Sequence, residues 1–253
     1  MTNIFKKISI DLSTYILILL ALLAGYIKNI FIILLIVIVH ELGHVFFFLL
    51  FHIEIEKIVI YPYGGMTTVN KRLHERIYKD ILISLGGILF QFILWGIFFF
   101  LYQNGWIVTR TWEIFYLYNK SIILFNLIPI VPLDGSKLFF SLCSKFFSYR
   151  KSYALMVFMG GISLIFFVFY NFLYRLNDIV LYVFLIYQLI IIISEFKYVM
   201  NKFYLERILY DNYYNRIIHD VDDIGKIRID KYYYFRDGKR YVNEKEYLKR
   251  VKY

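Results

Sequence analysis

From Ile30 to Phe51 the chain carries one formal charge, Glu41, in a run long enough to cross a bilayer as a single helix. In hydrocarbon a run like this can satisfy its backbone only as helix, because no water is there to take the N–H and C=O groups. Similar runs recur. Hydrophobic residues make up 60% of the 253-residue chain, and the pattern predicts six spans, at about Leu12–Ile27, Ile30–Phe51, Ile81–Leu101, Trp112–Ile130, Leu155–Leu173 and Ile179–Ser194. The fold class expected is an all-α polytopic membrane protein, not a soluble domain. Lys6 and Lys7 precede the first run as they would in a secretory signal, but no small-residue cleavage site follows, so the run is read as a signal-anchor.

Orientation follows from where the basic residues fall. Lys6, Lys7, Lys57, Lys71, Arg72, Arg76, Lys79, Lys137, Lys145, Arg150 and Lys151 lie on one side of a six-span arrangement, against Lys28, Arg110 and Arg175 on the other. The positive-inside rule then puts both termini in the cytoplasm. The net charge of +10 falls mostly on that face and on the tail, where anionic lipid is the expected partner. No nucleic-acid-binding motif is present.

Within the second span stands His40-Glu41-Leu42-Gly43-His44. Positions i and i+4 share a helical face, so two imidazoles can grip one metal ion while Glu41 reaches a water beside it. Ionisable groups are costly at membrane depth, and such a cluster marks function. An alternative is a structural polar cluster packed between helices without metal. Cys143 is the only cysteine, which excludes an internal disulfide and leaves His, Asp or Glu as ligands.

Two segments bear on that site. Ile53 to Ile60 alternates apolar and polar residues and leads into Tyr61-Pro62-Tyr63-Gly64-Gly65, which reads as a strand and turn of a small membrane-associated hairpin. Its edge could take an extended peptide as an added strand, or it could be an ordinary surface hairpin. Downstream, Pro129 and Pro132 interrupt the fourth span just before Asp134-Gly135. Irregular backbone at that depth requires surrounding protein or a polar cavity. Asp134 is thereby placed either as a third metal ligand or as the N-cap of the next helix. Gly86-Gly87 and Gly160-Gly161 are read as points of close helix approach.

Beyond Glu195 charge becomes dense and the apolar spans stop. The expected division is a membrane domain over 1–195 and a small cytoplasmic module over 196–253: a helix to about Asn215, a hairpin turning at Asp237-Gly238, and a last helix. A module that small is marginal alone and is expected to dock on a partner or on a second copy in a homo-oligomer. His74 and His219 lack ligand-like spacing and are expected at the surface.

With His40-Glu41-Leu42-Gly43-His44 in a span, Tyr63-Gly64-Gly65 in the hairpin and Asn126, Pro129, Pro132 and Asp134-Gly135 downstream, residues 10 to 195 resemble the site-2 protease family of intramembrane zinc metalloproteases, peptidase family M50. The resemblance is nearest to the branch that processes a sporulation sigma-factor precursor. It implies a zinc-dependent endopeptidase with one Zn2+ per chain, held by His40, His44 and Asp134, with Glu41 as the base. It further implies a substrate or oxyanion contact from Asn126, a segment shaped by Pro129 and Pro132, and a substrate border at Gly64 and Gly65. The partners implied are a membrane-tethered protein substrate and membrane-protein regulators, in a bacterial cell membrane or the membrane surrounding a forespore. The short tail departs from the pattern, since relatives often carry a nucleotide-binding CBS domain there and this module is reduced or divergent. Other readings are an inactive membrane scaffold, which Glu41 argues against, and a metal transporter, which would need a chain of polar sites across the bilayer.

Overall fold

The computed structural model describes residues 7–61, 64–70, 76–172, 179–210, 214, 216–237 and 240–250. Lys6, Pro62, Tyr63, Lys71, Arg72, His74, Leu173, Arg175, Asn215 and Gly238, all named above, lie outside them. The described chain is mostly helical, with two three-stranded sheets, and it packs as two units.

The first unit takes in residues 1–71 and 82–126. It holds β1 (Ile8–Ile10), α1 (Leu12–Leu23), α2 (Ile27–Leu50), β2 (Glu54–Tyr61), β3 (Gly64–Asn70), most of α3 (Ile77–Gln103) and α4 (Thr109–Leu127). Asp11 caps α1, its carboxylate accepting from the Ser13 N–H at 3.0 Å. Along α2, Ile32 and Ile36 pack with Leu94 of α3 and Phe115 of α4, and Phe115 stacks on Phe98 at 3.9 Å. The chain leaves α2 at His52, whose φ of +57° turns it out of the helix. It then enters a sheet ordered β1-β2-β3. There Ile53, Ile55 and Ile58 bury against Val45, Phe48 and Ile83, so the alternating pattern does place one sheet face on the helices. The expected hairpin is present as β2 and β3, antiparallel from Glu54↔Asn70 to Tyr61↔Gly64. A third strand was not expected: Ile8–Ile10 pairs parallel to Ile58–Ile60. Those residues lie between Lys7 and the run read as a signal-anchor.

The second unit takes in residues 72–81 and 127–253. After α4 the chain turns through Ile130 and Pro132 and then forms α5 (Asp134–Phe146), α6 (Tyr149–Phe172), α7 (Ile179–Ser194) and α8 (Phe196–Leu209). The tail adds β4 (Arg216–Val221), β5 (Lys231–Asp237), β6 (Arg240–Asn243) and α9 (Glu244–Arg250). The tail hairpin is β5 and β6, and β4 pairs parallel to β5 as a further strand. The tail is not free-standing. Phe203, Val221, Ile227, Tyr233, Phe235 and Leu248 share one core with Tyr149, Tyr153 and Met156 at the start of α6, and Tyr149 stacks on Phe203 at 3.9 Å.

Among the described residues, three helices are long and apolar enough to cross a membrane: α2, α3 and Tyr149–Phe169 of α6. The pair α7 and α8, bent by 50° at Glu195, is a fourth candidate if counted as one span. The expected first span is only a 12-residue helix, and α4 carries Arg110, Glu113 and Lys120. Phe31, Phe100, Ile165 and Phe166 are more than half exposed, as side chains facing lipid would be.

Candidate metal and catalytic site

His40 and His44 lie one turn apart on α2, both buried, and the i, i+4 spacing brings Nε2 of one to 3.1 Å from Nε2 of the other. Each ring is held from behind. His44 Nδ1 lies 2.7 Å from the Ile83 carbonyl oxygen, and His40 Nδ1 lies 3.0 Å from Gln91 Oε1. Both partners are acceptors, so in the neutral rings both Nδ1 atoms carry the proton and donate. The two Nε2 atoms then stand 3.1 Å apart as a pair of donors to a shared ion. Two imidazole nitrogens bound tetrahedrally to zinc at ordinary bond lengths stand roughly 3.3 Å apart. The donor pair therefore fits a zinc ion.

Close backbone approach makes this geometry reachable. A Cβ on Gly43 would lie 2.2 Å from the Gly86 carbonyl oxygen and 2.9 Å from Gly87 Cα, so α2 and α3 touch backbone to backbone. One on Gly87 would lie 2.4 Å from the His40 ring. The glycine pair of the third span thus serves the site as well as the packing. In α6, by contrast, nothing lies within 4 Å of a Cβ on Gly161, and one on Gly160 would meet the Pro129 carbonyl oxygen at 3.3 Å.

Glu41 points to the sheet. Its Oε1 accepts from the Gly65 N–H at 3.2 Å, and the Thr67 hydroxyl stands 3.5 Å from its Oε2. A Cβ on Gly65 would fall 2.1 Å from Glu41 Cδ. Gly65 is therefore the position where β3 must be bare of a side chain. Gly64 opens β3 opposite Tyr61.

Asn126, near the end of α4, is half-buried, and its Nδ2 donates to the Ile122 carbonyl in its own helix at 3.1 Å. In the second unit Asp134 is buried as the first residue of α5, with Lys137 Nζ 3.1 Å from its Oδ1. The cap position itself belongs to Leu133, so Asp134 is not the N-cap. Gly135 behind it is obligatory, since a Cβ there would come within 2.4 Å of the Leu127 carbonyl oxygen. Pro132 follows a cis peptide bond from Val131. His219 is exposed and stacks on Tyr234 at 5.0 Å.

Gln91, Thr67 and the Ile83 carbonyl were not anticipated. The signal was partly present: Ile83, Gly87 and Gln91 follow at i, i+4 and i+8, one face of α3, and Gln91 is an amide within an apolar span.

The profile of peptidase family M50 matches residues 28–106 and 102–169, more than half of the chain. The chain belongs to peptidase family M50. Among curated relatives, stage IV sporulation protein FB of Bacillus subtilis is 34% identical over 157 residues, 60% of this chain and 53% of that protein. A protein named as a zinc metalloprotease from Methanocaldococcus jannaschii is 34% identical over 123 residues, 46% of this chain and 34% of that protein. The chain thus spans about half the length of the first and about a third of the second. In fold it is similar to the site-2 protease from M. jannaschii, with a TM-score of 0.56 and 23% identity over 72% of this chain and 88% of that one.

Proposed function

We propose that this M50 chain is a zinc-dependent intramembrane endopeptidase that hydrolyses a membrane-tethered protein precursor. The observation that carries the reading is the pair of Nε2 lone pairs 3.1 Å apart with both Nδ1 protons engaged, beside a carboxylate on the next residue of the same helix. Asp134 is proposed as the third ligand. It is buried at the start of α5, and it supplies the carboxylate that the two histidines lack. One zinc per chain follows. A polypeptide ligand set of two His and one carboxylate is one that catalytic zinc uses.

When bound, zinc supplies Lewis acidity toward water and toward a peptide carbonyl. Glu41, held by the Gly65 N–H at Oε1, receives the proton of the attacking water on its carboxylate. It then returns that proton to the leaving amine nitrogen as the C–N bond breaks. The Asn126 amide is proposed to stabilise the oxyanion, by giving up its bond to Ile122. The β3 edge is proposed to receive the substrate as an extended strand bordered by Gly64 and Gly65. Supporting this, β3 is a terminal strand of its sheet, and its Gly65 N–H reaches Glu41. An extended substrate paired to that edge would lie beside the base. Pro129 and Pro132 shape the segment that presents Asp134.

The substrate proposed is a sigma-factor precursor of the sporulation kind, in keeping with the relative named as a sporulation protein. The membrane is that of the bacterial cell or the one surrounding a forespore. The proposed topology is six spans with cytoplasmic termini, a membrane domain over 1–195, a cytoplasmic module over 196–253, and membrane-protein regulators. The test is zinc content and cleavage of a membrane-tethered precursor by purified wild type, Glu41→Gln and Asp134→Ala. Zinc in wild type and Glu41→Gln, cleavage in wild type only, and loss of both in Asp134→Ala are expected. Cleavage by Glu41→Gln would remove Glu41 as the base, and a zinc-free wild type would end the metalloprotease reading.

A further inference from the structure

Behind His40 lies a chain of buried amides that the reaction above does not use. Gln91 on α3 is fully buried and Asn119 on α4 is 1% exposed. Gln91 Nε2 donates to Asn119 Oδ1 at 3.3 Å, and Asn119 Nδ2 approaches the Gln91 backbone carbonyl at 3.5 Å. The direction of this chain is anchored at its far end. A backbone carbonyl can only accept, so Asn119 must turn its Nδ2 to it and its Oδ1 to Gln91. Gln91 must then present Nε2 to Asn119 and Oε1 to His40, where it meets Nδ1 at 3.0 Å. His44 needs no such relay, because its Nδ1 meets the Ile83 backbone carbonyl directly at 2.7 Å.

We propose that Gln91 and Asn119 are positioning residues that lock the orientation and tautomer of His40, and so set how tightly this chain holds its metal. The proposal rests on His40 being a metal ligand. Full burial of both amides gives the relay its strength, since neither can turn to water for an alternative partner. Without the acceptor on Nδ1, the His40 ring can place its proton on Nε2, the atom needed for the ion. Outer partners of ligating histidines typically change metal affinity by about 10- to 100-fold.

The experiment is zinc affinity by competition with a chromophoric chelator, on the full chain in detergent, with melting of the metal-free protein measured in parallel. Gln91→Met, which keeps the shape and removes the acceptor, should bind zinc about 10- to 100-fold more weakly. Gln91→Glu should restore affinity by returning an acceptor to Nδ1. Asn119→Leu should also weaken binding, by letting the Gln91 amide turn over, and should add nothing in the Gln91→Met background. That non-additivity is what a merely structural pair would not produce, because a structural pair would lower the melting temperature and leave zinc affinity alone. Wild-type affinity in both Gln91→Met and Asn119→Leu would overturn the proposal, whatever their melting temperatures. Zinc binding by His40→Ala equal to wild type would instead remove His40 as a ligand, and a wild type without zinc would end the underlying reading and this proposal together.

Discussion

Gly65 has no side chain, and β3 uses that absence to bring a backbone N–H to 3.2 Å from Glu41. Adding one methyl there places a carbon 2.1 Å from Glu41 Cδ. The carboxylate is the softer partner and must swing aside. Gly65→Ala should therefore keep its zinc and its fold and lose cleavage by roughly 10²-fold, the effect expected of a displacement of about 1 Å in a reacting group. Unchanged turnover with unchanged zinc would show that Glu41 is not held by β3. At this scale the pairing of His40 with His44 was legible because i, i+4 spacing is a property of any helix, and Glu41 came with it. Its neighbours were not. Thr67 is 26 residues from Glu41 and Gln91 is 51 from His40, so nothing in the local pattern couples them.

Between elements, the contact of α2 with α3 is made by glycines on both sides. Gly43 and Gly86 meet through backbone atoms, which cannot rotate away as a side chain can. Gly43→Ala should force the helices apart and cost about 1–3 kcal/mol, as overpacking does. It should also weaken zinc binding, because His40 and His44 are tethered to α3 through Gln91 and Ile83. Gly161→Ala in α6 has open space and should melt like wild type, which makes it the control. Equal melting temperatures for the two variants would refute the close contact. The proline break after α4 could be read from the chain because proline acts on its own backbone. The parallel strand β1 could not, since its residues gain strand character only from β2, some fifty positions away.

Across the second unit the tail is held by an ion pair with almost no exposure. Arg207 bonds the Glu244 carboxylate through Nε and Nη2, and also the Arg228 and Lys231 carbonyl oxygens. Glu244 in turn accepts from the Tyr233 N–H at 3.0 Å. Arg207→Met should cost about 3–5 kcal/mol by leaving a buried carboxylate uncompensated, and adding Glu244→Leu should recover much of it. Limited proteolysis of the tail reads both, and equal resistance of wild type and Arg207→Met would show that the pair does not hold it. Local rules alone sufficed for the long apolar helices α2, α3 and α6, the shared face of His40 and His44 and the break before Asp134, because hydrophobic length, helical spacing and proline act over a few residues. Only the folded chain decided which amides stand behind His40, which strand reaches Glu41 and what the tail packs on. Those are contacts between residues far apart in sequence, and burial gives them their strength.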